Sequence, residues 1–144
     1  MTTLAPPPAA ASPERALLAA LRAVILNDPA CAAVLHGRVY EEIPPEPVFP
    51  LVQLGELRST PADSAGATAI EHGVSVHVWS RGPGRDEAAG LLGALRVALH
   101  DAAPPVQGRR VVLLLAGFCD LFRRDGRLLH GVLRLRAITE PLED

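Results

Sequence analysis

Val111, Val112, Leu113, Leu114, Leu115 and Ala116 form an unbroken apolar run. It is far shorter than the roughly 20 residues needed to cross a bilayer as a helix. It also lacks the polar alternation of a half-buried strand. The run therefore predicts a strand, Arg110 to Phe122, whose two faces must both avoid water. Helices can cover one face. In a chain of 144 residues the other must be covered by loops or by another molecule, and uncovered apolar surface of this kind marks an assembly site.

The neighbouring elements follow from periodicity and caps. Ser12 as N-cap, Pro13 at the first helical position and Glu14 in the first turn open a helix. Leu17, Leu18, Leu21, Val24 and Ile25 give it one apolar stripe. Asp28-Pro29 opens a short second helix through Leu35, with Gly37 suited to the left-handed position that follows it. Val39 to Ile43 is a short extended piece, and the prolines at 44, 45, 47 and 50 forbid helix or central strand. Leu51 to Leu57 reads as a strand, 58–69 as a flexible connection, and Ile70 to Ser80 as a strand in which Val74, Val76 and Val78 share a face. A helix from about Arg85 to Asp101 buries Ala88, Leu91, Leu92, Leu95, Ala98 and Leu99. Asp125-Gly126 is a hairpin turn before a last strand, Leu128 to Thr139. The expected fold is α+β: a mostly antiparallel four-stranded sheet with helices packed on one face, in the order helix-strand-strand-helix-strand-strand. Residues 1–11, rich in Ala and Pro, are expected to be a disordered arm and 12–144 a single domain.

Hydrophobic residues make up 49% and aromatics 3%, so the core must be aliphatic. The net charge of -2 leaves no global basic field for holding nucleic acid. All 14 basic residues are Arg. The N-terminus has neither a basic region nor a long apolar run, which argues against a signal peptide or membrane anchor and for synthesis in a reducing cytoplasm. Cys31 and Cys119 are then expected to be free, buried thiols.

Catalytic patterns are weak. His72 and His77 fall on opposite faces of one strand and cannot share a metal. His36, His100 and His130 have no ligand-spaced partner and read as solvated or turn residues. Gly82-Pro83-Gly84 precedes a helix, but the chain has no Lys to complete a phosphate loop, and Asp86 and Glu87 would repel a phosphate there. Glu41 and Glu42 are adjacent and point apart on an extended segment. No catalytic residue, cofactor or metal is expected.

On the last strand, Leu129, Leu133, Leu135 and Ala137 share one face and His130, Val132, Arg134 and Arg136 the other. His130, Arg134 and Arg136 are candidates for an inter-subunit or channel-lining face, with a solvated face as the alternative. Ser59, Thr60, Asp63 and Ser64 are candidates for a mobile contact loop.

A set of segments in fixed order carries a resemblance: Gly37-Arg38-Val39-Tyr40, Phe49-Pro50-Leu51-Val52-Gln53-Leu54-Gly55-Glu56, Glu71-His72 with Val76-His77-Val78-Trp79-Ser80-Arg81, Leu95 to Asp101, Arg124-Asp125-Gly126-Arg127, and His130 to Ala137. In these, over about residues 14–141, the chain resembles the tail terminators, or tail-completion proteins, of long-tailed phages and gene transfer agents, a family formerly known as a domain of unknown function. The resemblance implies a homohexameric ring at the head-tail junction. That ring caps the tail tube, joins it to the head-side connector or stopper protein, and passes DNA only in transit. It implies no enzyme activity and no membrane. Two other classes stay open: a small oligomeric ligand-binding or regulatory module, and a hydrolase using Cys31 or Cys119 with a histidine.

Overall fold

The computed structural model describes residues 12–62 and 68–142. Helix α1, Pro13–Asn27, starts where the Ser12 side chain accepts from the Arg15 amide at 3.1 Å. Asp28 ends α1 and caps α2, Pro29–Leu35, accepting from the Cys31 amide at 3.0 Å. The two helices meet at 86°, and none of the described helices is by itself long and apolar enough to cross a membrane. The left-handed position after α2 is taken first by His36 and then by Gly37. Strands β1 (Val39–Tyr40), β2 (Leu51–Pro61) and β3 (Ile70–Ser80) follow, then α3 (Asp86–Leu99), β4 (Arg109–Asp125) and β5 (Leu128–Pro141).

The sheet has five strands in the order β1-β2-β3-β5-β4, and β1 lies parallel to β2, pairing Val39 with Val52 and Tyr40 with Gln53. This corrects the expected four-stranded, essentially antiparallel sheet and its element order. β1 is two residues long, too short to show a period of two in sequence. The proline-rich residues 41–50 return the chain so that β1 and β2 run the same way, as a parallel pair requires. The last two strands are also out of chain order. β3 and β5 pair over eleven residues, from Ile70 with Thr139 to Ser80 with Leu129, which leaves β4 at the edge.

The core lies between the helices and one face of this sheet. Val74, Val76 and Val78 of β3 and Leu129, Leu133 and Leu135 of β5 join Leu17, Leu21 and Ile25 of α1 and Leu91, Leu95 and Leu99 of α3. Helix α3 crosses β5 closely at Gly131, where an added Cβ would fall 2.7 Å from Leu92 Cδ1.

The apolar run on β4 supplies apolar side chains to both faces of the sheet. Irregularities at Val111/Leu113, Ala116/Phe118 and Arg123/Asp125 each add a residue to the strand. Val111, Leu114 and Ala116 pair with core-facing residues of β5, whereas Leu113, Leu115 and Phe118 pair with outward-facing ones. The bulge decides which of these apolar residues face the core and which face outward. Val112, inside the bulge, is 50% exposed, so part of the run is open surface in the single chain.

Leu95 is fully buried at the centre of the helix-sheet contact. Leu95→Ala is expected to cost about 2–5 kcal/mol in a urea titration, as truncation of a core leucine does. A loss under about half a kilocalorie is too small for the core position assigned to it here.

Candidate functional site

Among the described residues no helix covers the sheet face turned away from α1 and α3, and register sorts its outward side chains into cross-strand rows. One row is Leu51, Trp79, His130 and Phe122; another is Gly55, Ser75, Arg134 and Phe118; next to it lie Arg58, Gly73, Arg136 and Leu115. The chain has three Phe, one Trp and one Tyr, and none belongs to the helix-facing core. Trp79, Phe118 and Phe122 all lie in these rows. An aliphatic core with its aromatics on the opposite face is the composition expected of a contact surface.

His130 anchors the first row. Its ring stacks on Trp79 with centroids 3.8 Å apart and planes at 9°, and Phe122 meets it edge-on at 5.0 Å. His77 Nδ1 lies 2.7 Å from His130 Nε2, and the Glu56 carboxylate is 3.4 Å from His77 Nε2. Glu56 favours the proton on His77 Nε2, so His77 Nδ1 accepts from the His130 Nε2–H. His130 Nδ1 is then a bare lone pair, buried without a hydrogen-bond partner among the described residues. Burial, with help from His77 and Arg124, pushes His130 down to about 4. Burial also lowers His77, with Glu56 opposing.

The reading of His130 as solvated is therefore corrected. It lies on the outward face as expected, but it is wedged among rings that β3 and β4 bring to it. Sequence spacing along β5 could not show those rings. His100 is also tied down. Its Nδ1 accepts from the Ala116 amide at 3.1 Å while the Asp101 amide donates to Leu114 O at 2.9 Å, which covers the middle of the free edge of β4. His72 is fully buried on the other face, bonded to Ser59 Oγ at 2.8 Å and Thr139 Oγ1 at 2.9 Å.

The next two rows form a trough of about 470 Å³ lined by Arg58, Gly73, Ser75, Arg134 and Glu56 among others. The missing side chain at Gly73 and the short one at Ser75 leave it open. Arg136 is paired with Glu71, its Nε and Nη2 at 2.9 and 2.6 Å from one carboxylate oxygen. Arg134 reaches Ser75 Oγ at 3.4 Å and lies 5.8 Å from the Phe118 ring centre. Neither Arg134 nor Arg58 has a carboxylate partner among the described residues. Of the candidate contact loop, Ser59 and Thr60 are in β2, paired with His72 and Glu71, and not in a loop. Asp63 and Ser64 lie outside the described residues.

Residues 19–140 match the family described as tail completion protein gp17. The chain belongs to that family. A solved chain from the virion of a native gene transfer agent particle superposes on this tail completion protein with a TM-score of 0.81. It is 26% identical in sequence, and the match covers 90% of this chain and 98% of that one. No curated protein matches. The family is one of structural phage tail proteins.

Two further chemical candidates in this family member, Cys31 and Glu41, are occupied structurally. Cys31 is buried, and burial together with Asp28 pushes its thiol up to about 12, the reverse of an activated nucleophile. Glu41 pairs with Arg15 at 2.6 Å. Among the described residues no three His, Cys, Asp or Glu are placed to hold a metal.

The His130 geometry predicts acid sensitivity. Unfolded, His130 takes a proton near 6.5; folded, it resists until about 4. In that window the unfolded chain binds more protons, so stability falls as pH falls, by about 1–3 kcal/mol at the acid end. His130→Phe keeps a ring in the stack and removes the titration. Its loss of stability between pH 7 and pH 4.5, read by urea titration, should be smaller than that of the wild type. Equal losses would detach His130 from the acid response.

Proposed function

We propose that this tail completion protein is a subunit of a homo-oligomeric ring at the head-tail junction of a phage-like particle. The ring caps the finished tail tube and joins it to the head-side connector. Family membership over residues 19–140 and the likeness to a chain of a gene transfer agent virion support a structural role in such a tail. The observation that carries the reading further is the sheet face that the described helices leave open, where Trp79, Phe118 and Phe122 collect with two arginines that have no carboxylate partner among the described residues. A surface of this kind suits repeated contact with other subunits better than catalysis. DNA meets the ring only in transit, which the net charge of -2 permits. Six copies is the number implied by the sequence resemblance. Ser59, Thr60, Asp63 and Ser64 stay candidates for contact with the tail tube. Arg134 and Arg136 stay candidates for the neighbour or the channel.

Removing the chain from cells that make the particle should leave heads and tails unjoined, or tails of uncontrolled length, in electron micrographs. Restoring it in trans should return joined particles. Normal numbers of joined, gene-delivering particles without the chain would end this reading.

A further inference from the structure

The segment between β1 and β2 is built to project. Residues 41–50 include four prolines, which restrict the free chain and lower the entropy lost on docking. Its two ends are clamped. Gln53 Nε2 donates to Glu41 O at 3.4 Å, and Arg38 Nε donates to Pro50 O at 2.8 Å. Near its end, the Arg81 guanidinium lies 4.4 Å from the Phe49 ring centre. Between the clamps Glu42 and Glu46 are exposed and have no ion-pair partner among the described residues. Val48 is 62% exposed, an apolar side chain at the same tip.

These features complement the trough. Arg58 and Arg134 border it without a carboxylate partner among the described residues, Ser75 Oγ lines it, and the half-exposed Phe118 lies beside it. Within one chain no hydrogen bond or ion pair among the described residues joins residues 42–48 to Arg58 or Arg134. β1 pairs at Val52 and Gln53, and Arg58 lies about 17 Å further along β2 at strand rise.

We propose that the loop from Glu42 to Val48 of one copy docks into the Arg58/Arg134 trough of a second copy. Its carboxylates meet the two guanidiniums and Val48 packs against Phe118. The contact is head to tail, so each copy offers one loop and one trough, and repetition closes a ring if the rotation closes. This inference rests on the assembly reading and names the surfaces that would carry it.

Two variants test it. The face variant carries Arg58→Glu and Arg134→Glu; the loop variant carries Glu42→Arg and Glu46→Arg. All four positions are exposed, and thermal melting checks that both variants fold. Alone, each brings like charges together at every contact, and joined particles should fall by about tenfold or more. Expressed together, each reversed loop finds a reversed face and each native loop a native face. Joined particles should then return to within about threefold of wild type. Two folded variants that fail to restore particles together would overturn the proposal. So would normal particles from either variant alone; a defect confined to the face variant would assign the trough to an acidic group of another molecule. If the chain proves dispensable for joining, the ring reading fails separately. Light scattering of the purified variants then decides the contact: a mixture heavier than either alone supports it, and an unchanged mass rejects it.

Discussion

The pairing of β3 with β5 holds the rest of the molecule in place. Eleven residues of each strand run side by side in the middle of the sheet. On one face this aligns Val74, Val76 and Val78 with Leu135, Leu133 and Gly131, the floor on which α3 lies. On the other it aligns Ser75, His77 and Trp79 with Arg134, Val132 and His130. A one-residue slip of either strand would move every one of these side chains to the opposite face. The helix-covered core and the uncovered surface are therefore specified by the same hydrogen-bonded ladder.

That arrangement divides the side chains by chemistry. Leu, Val, Ile and Ala fill the space under the helices, where close packing needs no hydrogen bonds. Trp79, His77 and His130 sit on the open face, where their ring nitrogens find partners in Gln53, Glu56 and one another. His130 Nδ1 is the exception among the described residues, and burial of its ring holds its pKa down to about 4. The bulges in β4 serve the same division, turning Phe118 and Phe122 outward from a strand that also supplies Val111 and Leu114 to the core. His100 and Asp101 cover part of the edge of β4, which leaves the face of the sheet as the more available surface for a second protein.

Membership of the tail completion family agrees with this construction, because a protein that works by contact needs a stiff frame and a surface left unfinished. Helices on one side supply the frame. The proline-rich loop is tied at its ends by backbone-directed bonds from Arg38 and Gln53, and the arginine trough is assembled by strand register.

Much of the secondary structure was legible in the residues themselves. Ser12-Pro13 and Asp28-Pro29 mark helix starts by local hydrogen bonding, and the valines of β3 and the leucines of α3 repeat at the periods of a strand and a helix. The alternation on β5 likewise separates Leu133 and Leu135 from Arg134 and Arg136 without reference to any partner strand. These signals are local, involving residues within a turn or two of each other. What the tertiary structure alone decided depends on residues far apart in the chain. The two-residue β1 exists as a strand because β2 lies beside it. Which residues of the run Val111 to Ala116 face the core is set by a bulge, defined only against β5. His130 looked solvated because Trp79 and Phe122 reach it from strands 51 and 8 residues away in sequence. Arg58 joined Arg134 at one trough only when register brought β2, β3 and β5 together. Period and capping belong to a segment; bulges, stacking partners and shared surfaces belong to pairs of segments, and pairing is settled by the whole fold.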